Sequence, residues 1–305
     1  MSQTRAPGTI VKSFRVLREH ASTSLGAAAV LCVPLAFTTT YSALEPGLKS
    51  LLVGLMVSFA IGVAVAYSST VAVGLYAENT DPGPGELLKR TFGRGLVGFA
   101  ATRVLAGLVL AVAAAVGMLP FLYALVTAGP AVFNIDDPPQ AEMLLLSSTL
   151  VLSAPVGLCI FLYVYLQVGL AGPARVLENL APIRSLSRSR NVTKGKRMDF
   201  FVVLVKLTAV RLVLSMVLAG PASIVGAGPG PFEQRPANPF SRAFLLEIFS
   251  QSRPLSVAAA LVVGISTYLG AVAVTAVSAT VLAEFFIEIR DRTERKSLQG
   301  GESVA

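Results

Sequence analysis

Residues 51–77 read LLVGLMVSFAIGVAVAYSSTVAVGLYA, 27 consecutive positions without one charged side chain. At 1.5 Å rise per residue, about 20 apolar residues cross the roughly 30 Å hydrocarbon core of a bilayer. This stretch is therefore long enough to span, and it decides the fold class. Working outward from it, five further stretches qualify, so the spans are expected at about Ala21–Tyr41, Leu51–Ala77, Leu96–Ala128, Met143–Ala171, Phe200–Ile224 and Leu255–Ile287. Several exceed the required length, and tilt, kinks or an interfacial extension must absorb the excess. Pro34, Pro120, Pro155 and the Gly220-Pro221 pair are the expected kink points. The first run follows a charged lead of 20 residues and has no clear cleavage site behind it, which reads as a retained helix instead of a signal peptide.

The whole composition agrees. Of 305 residues 54% are hydrophobic and 14% charged, and the mean hydropathy is +0.70. An average soluble chain is about a quarter charged, so an ordinary cytosolic enzyme, a disordered chain and a disulfide-stapled secreted module are all excluded. The two cysteines, Cys32 and Cys159, fall inside apolar runs without CxxC or metal-ligand spacing and read as small buried hydrophobes. The expected organisation is a segment 1–20, a six-helix transmembrane domain 21–287 and a tail 288–305.

The net charge of +8 has to be placed relative to the bilayer. The segment to residue 20, the loops 78–95 and 172–199, and the tail together hold 18 of the 25 Lys and Arg residues; the opposite side holds Lys49, Arg235, Arg242 and Arg253. Loop 129–142 carries Asp136, Asp137 and Glu142 with no cation. By the positive-inside rule both termini face the cytoplasm of a cell-membrane protein. The same distribution argues against nucleic acid, because the cations border spans and no aromatic stacking motif is interleaved with them. Anionic lipid headgroups are the expected partner, at about 1 kcal/mol per surface cation; homo- or hetero-oligomers are compatible with the pattern.

Three of the basic segments resemble one another. Pro7-Gly8-Thr9-Ile10-Val11-Lys12-Ser13-Phe14, Pro84-Gly85-Glu86-Leu87-Leu88-Lys89-Arg90-Thr91-Phe92 and Pro182-Ile183-Arg184-Ser185-Leu186-Ser187-Arg188-Ser189 each start with proline, continue with apolar, basic and hydroxyl residues, and precede a span. Proline in the first turn is a helix start signal, and such a stretch can lie in the headgroup plane. The expected architecture is thus all-α, with six transmembrane helices in three pseudo-repeated hairpins, each led by an amphipathic cytoplasmic helix.

The run Leu186-Ser187-Arg188-Ser189-Arg190-Asn191-Val192-Thr193-Lys194-Gly195-Lys196-Arg197-Met198-Asp199-Phe200 resembles the signature of the six-helix membrane domain attached to some glycerophosphoryl diester phosphodiesterases and of its stand-alone relatives. Arg190 stands where that group usually has an aromatic residue. The resemblance implies a six-helix integral membrane protein; it does not imply phosphodiesterase activity, since the soluble catalytic barrel is not in these 305 residues.

Groups able to carry chemistry are few. No HExxH, nucleophile elbow, phosphate loop or acidic metal pair appears in a cytoplasmic segment, so no catalytic residue, cofactor or metal is expected. Asp136-Asp137 reads as a solvated turn, His20 as a solvated flank, and Asn191-Val192-Thr193 as an incidental glycosylation pattern on the cytoplasmic side. Three cations, Arg103, Lys206 and Arg211, lie within apolar runs, where a charge is costly. Arg103 and Lys206 are within snorkelling reach of headgroups, Arg103 if its span starts near Val104. Arg211 lies roughly 16 Å from Phe200 along a helix. It either pairs with Glu284 in the bundle interior, with Asp199 as a second candidate, or belongs to an interfacial segment 200–211 that precedes a late-starting helix. Stripes of small residues at Ser58/Gly62/Ala66/Thr70/Gly74, Arg103/Gly107/Ala111/Ala115 and Ala271/Thr275/Ala279/Ala283 read as packing seams. The chain has no tryptophan, so an aromatic belt would rest on residues such as Tyr41, Tyr76, Phe121, Tyr123, Phe285 and Phe286. Three functions are compatible with these residues: a non-catalytic membrane protein that organises lipid or partner proteins at the cytoplasmic face, a small transporter with a site near Arg211 and Glu284, or, last in order, a membrane enzyme acting on lipid.

Overall fold

The computed structural model describes residues 9–45, 47–80, 82–128, 140–226 and 255–301; Asp136-Asp137, Arg235, Arg242 and Arg253 lie outside them. Among the described residues the chain is all helical, with α1 Thr9–Glu19, α2 Ala21–Leu44, α3 Leu48–Ala77, α4 Pro84–Thr91, α5 Arg94–Gly117, α6 Leu119–Ala128, α7 Gln140–Val168, α8 Ala171–Leu177, α9 Pro182–Thr193, α10 Arg197–Gly226 and α11 Val257–Gly301. Six helices are long and apolar enough to cross a membrane. With no water in hydrocarbon to satisfy a free N–H or C=O, a helix that closes its own backbone bonds is what such sequences can adopt.

The three hairpins are present, each behind its amphipathic lead: α1 before α2–α3, α4 before α5–α7, α9 before α10–α11. Proline opens both α4 and α9. Each lead buries an i, i+4 pair on one face, Ser13 with Leu17, Leu87 with Thr91 and Ser185 with Ser189, which is the spacing that stacks two side chains on one stripe. The buried hydroxyls are satisfied by backbone carbonyls, Ser13 Oγ donating to Thr9 O (2.8 Å) and Thr91 Oγ1 to Leu87 O (2.8 Å). All three leads pack at one end of the bundle, called the lead face below: α1 on α11 and α2, α4 on α2 and α3, α9 on α7, α8 and α5.

Span boundaries differ from expectation in four places. The stretch Leu96–Ala128 is two helices, because α5 closes at Met118, whose N–H bonds back to Ala114 O and Ala115 O, and Pro120 sits in the first turn of α6. Pro120 has no N–H for Val116 O, so it stops one helix and starts the next instead of kinking a continuous one. Segment 200–211 is not a separate interfacial stretch, since α10 is continuous from Arg197 to Gly226. Similarly, α5 begins at Arg94, nine residues before Arg103, and not near Val104. At the other end, the helix of the last span runs on to Gly301, so the expected boundary at 287/288 falls inside α11.

The core is built on α11. Twelve consecutive residues, Ala276–Ile287, are all buried, enclosed by neighbours that include α1, α2, α3, α8, α9 and α10. A helix apolar on every side is one buried on every side. The main cluster joins Leu17 of α1, Leu170, Val192 of α9, Phe200 of α10 and Val281, Phe285 and Phe286 of α11. Phe285 and Phe286 are therefore core, 4% and 0% exposed, and not members of an aromatic belt; Tyr41 and Tyr123 do stand exposed. Away from the lead face the helices present Leu52, Met56, Phe59, Leu108, Val112, Leu152 and Met216 outward, as lipid-facing surfaces do.

Two small-residue stripes act as seams towards the lead face: Ala66 and Thr70 of α3, and Ala279 and Ala283 of α11, are buried. The third does not. Gly107, Ala111 and Ala115 of α5 are exposed, and α5 meets α7 on another face, through Gly117 and Gly157. An added Cβ at Gly117 would lie 2.3 Å from Gly157 Cα, backbone against backbone. Gly117→Ala is expected to force the hairpin apart and cost about 1–3 kcal/mol, read as a lower midpoint in detergent unfolding, whereas Gly107→Ala, with nothing within 4 Å of its added Cβ, should leave the midpoint unchanged.

Candidate functional site

The segment Leu186–Phe200 forms the latter part of α9, a turn and the start of α10. Gly195 takes φ +79°, a left-handed conformation that glycine adopts without the cost of a Cβ, and Lys196 N–H bonds back to Thr193 O at 2.9 Å. Ser189 Oγ donates to Gln167 O on α7 (2.7 Å) and Thr193 Oγ1 to Ser189 O (2.9 Å). The Arg188 guanidinium grips Glu178 with Nε to Oε2 and Nη2 to Oε1, both at 2.8 Å. That two-pronged bond fixes direction as well as charge. Each of these residues locks the reversal between the second and third hairpins, so the segment does structural work. Arg190, by contrast, points outward.

Beneath this turn, α5 and α8 exchange arginines. Arg103 of α5 lies against Gly172 of α8, with its guanidinium 5.1 Å from the centroid of the buried Phe99 ring. Arg175 of α8 lies against Gly98 of α5 and donates to Asn179 Oδ1 at 3.0 Å. Each glycine leaves room for the other helix's cation: a Cβ on Gly172 would sit 3.0 Å from the Phe99 ring and 3.3 Å from Arg103 Nε, and one on Gly98 2.5 Å from Arg175 Nη2. Stacking on Phe99 offers Arg103 an attraction that does not depend on water.

Arg211 and Glu284 do not meet. Arg211 Nε donates to Ser278 Oγ at 2.6 Å, and Ser278 Oγ donates in turn to Val274 O. Glu284, 5% exposed, has Lys12 Nζ of α1 at 2.8 Å from Oε2, an ion pair whose angle falls outside a hydrogen bond. Six residues separate Ser278 from Glu284, roughly 9 Å along α11, so the two charges belong to different levels. Asp199, the other expected partner, lies 3.7 Å from Lys196. Lys206 is exposed on α10 and takes no part in either contact. The candidates for an intramembrane polar site are thus divided: Glu284 joins the lead α1 to the last helix, Lys206 faces outward, and Arg103 and Arg211 remain at the level of Ser278.

Sequence reasoning missed Lys12, Arg175, Ser278 and the two receiving glycines. Lys12 and Ser278 offer no local signal, since their partners are 272 and 67 residues away. Gly98 and Gly172 lie at unremarkable spacing. Other residues fit simpler accounts. The His20 ring stacks on Tyr76 at 3.7 Å between centroids, Cys32 is buried as expected, and Cys159 is exposed on α7 instead of buried. Among the described residues no group of His, Cys, Asp and Glu could hold a metal ion. A groove of about 220 Å³ opens between α1, α10 and α11, floored by Val203, Phe285 and Ile289 and rimmed by Lys196, Asp199, Glu288 and Arg292. Its rim charges neutralise each other, Arg292 pairing with Glu288 and Lys196 with Asp199. Comparison with known proteins returns no match, whether to a family model, a curated protein or a solved structure.

The Lys12–Glu284 contact sets a measurable expectation. Lys12→Ala should destabilise the protein by roughly 1–3 kcal/mol by leaving a buried carboxylate without its cation, tempered because Lys12 is half exposed. Lys12→Ala with Glu284→Gln should recover much of that loss, and a double-mutant cycle on unfolding midpoints gives the coupling. A coupling near zero would dismiss the pair as incidental.

Proposed function

We infer that this multi-pass membrane protein is a non-catalytic scaffold that engages anionic lipid headgroups through its lead face, with that face and both termini on the cytoplasmic side of the cell membrane. The observation that carries the reading is the outer side of the leads. Each sets exposed cations beside exposed large apolar residues: Lys12, Arg15 and Arg18 with Val11 and Phe14 on α1; Lys89, Arg90 and Arg94 with Phe92 at α4; Arg184, Arg190 and Lys194 with Ile183 and Met198 around α9. A cation and an apolar side chain on the same outward surface suit the headgroup boundary, where one meets phosphate and the other enters the acyl region. About 1 kcal/mol per cation near an anionic surface makes the sum considerable.

The non-catalytic reading is supported by what the polar side chains do. Glu284, Arg188, Glu178, Ser189 and Thr193 are all engaged in joining elements. The same clasp supports the proposal that the chain is a relative of the six-helix membrane domain attached to some glycerophosphoryl diester phosphodiesterases, since the residues that carry the resemblance are those that fix the hairpin reversal. A transporter site shared by Arg211 and Glu284 has no support in the geometry. Partner proteins, or further copies of the chain, would be organised by the same face.

The absence of tryptophan makes the test clean. Phe92→Trp and, separately, Ile183→Trp give single-tryptophan proteins. In bilayers containing phosphatidylglycerol, brominated acyl chains are expected to quench both, most strongly when bromine is placed near the headgroup. Emission characteristic of full water exposure, with no quenching from either position, would contradict the reading.

A further inference from the structure

Arg103 and Arg211 present a problem that the scaffold reading leaves unsolved. Both are within spanning helices, and among the described residues no carboxylate pairs with either. They approach the same level of the core. Arg103 stacks on Phe99, which is packed in a cluster with Ala279 of α11, while Arg211 bonds to the adjacent Ser278. Tyr165 of α7 and Arg211 both lie within electrostatic reach of Arg103. Two like charges in an apolar layer repel each other and are costly to desolvate, and a counter-anion relieves both penalties.

The surroundings indicate where that anion comes from. α10 packs extensively on α11 but meets α7 at the lead-face end, where Tyr165 and Phe200 stack at 6.4 Å between centroids and Arg197 lies 5.0 Å over the Tyr163 ring. Beyond that contact α10 is the least enclosed of the spans, and Arg211 itself is exposed along it. Arg211 is therefore reached laterally, from the lipid side. Guanidinium groups match the oxygens of a phosphate with a planar fork of donors.

We propose that Arg103 and Arg211 form a discrete site for the phosphate of an anionic phospholipid, admitted sideways between α7 and α10 with its headgroup drawn below the surface and Ser278 holding Arg211 in place. This site is separate from the lead-face contacts: it binds one lipid by its phosphate, where the leads meet many through diffuse charge. The local thinning that lets headgroups reach intramembrane arginines brings the phosphate to this depth.

The test is retention of lipid by the full chain. Purified in mild detergent with added phosphatidylglycerol and examined by native mass spectrometry, the wild type should keep one phosphatidylglycerol per chain in preference to phosphatidylcholine. Arg103→Gln with Arg211→Gln should lower that occupancy roughly tenfold or more, while Lys49→Gln, at an exposed cation on the opposite side of the spans, should leave it unchanged. Equal retention by the double variant, or an equal loss on changing Lys49, would overturn the proposal. Should the double variant fail to fold by circular dichroism and size exclusion, single Arg211→Gln serves: phosphatidylglycerol should raise the melting temperature of delipidated wild type and not of this variant, and an equal rise in both would overturn it. Inorganic phosphate provides the arm for a free anion. If it stabilises the delipidated wild type as well as phosphatidylglycerol does, the site takes soluble phosphate and the lipid assignment is wrong.

Discussion

The enclosure of Ala276–Ile287 within α11 is the constraint from which the rest of the structure follows. A helix buried on all sides in a membrane cannot gain from hydrophobic exclusion alone, because lipid tails are as apolar as its neighbours, and close packing and polar contacts must hold the surrounding helices. The residues answer that need. Ala276, Ala279 and Ala283 let neighbours approach, Val281 and Phe286 fill the space between them, and Glu284 offers a charge that α1 satisfies from outside. At the opposite end Leu255 N–H bonds to Ala43 O, and Tyr268 OH to Ala29 O, so α2 is joined to this last segment at two further levels.

The leads close what α11 begins. Each has one face of hydroxyl and aliphatic residues narrow enough to pack over helix ends, and an opposite face of cations and large apolar side chains. A purely polar segment could not pack on the bundle, and a purely apolar one would be drawn into the hydrocarbon. Amphipathic leads rest between the two. Their position explains why the basic residues lie mainly on one side of the spans and why that side is also the better packed: the same helices that carry the charge cover the core.

Much of this was legible in the amino-acid sequence, and the reasons differ by feature. The spans could be read because hydrocarbon thickness imposes a length that few soluble helices meet. The leads could be read because proline marks their starts and an amphipathic stretch precedes each hairpin. The stripe of Arg103, Gly107, Ala111 and Ala115 misled, since small residues also occur on lipid-facing surfaces and spacing does not say which face meets a neighbour; Gly117 and Gly157 carry that contact instead. Phe285 and Phe286 misled for the converse reason, sitting near a span end by count while α11 continues well past it. The alternative that paired Arg211 with Glu284 rested on charge alone. What decides it is the level of each residue on α11, and that depends on contacts as distant in sequence as Lys12 from Glu284.

The central claim is that the first lead docks on the last helix and completes the enclosure of α11. With Cys32 and Cys159 replaced by alanine, Thr9→Cys and Glu288→Cys, at part-exposed positions whose native side chains lie 2.6 Å apart across α1 and α11, can be joined by a short bis-maleimide in intact membranes. The account predicts rapid crosslinking within a single chain, and little when the second cysteine is placed at Met56, which faces outward on α3. Equal reaction at both placements, or crosslinks formed only between chains, would contradict it.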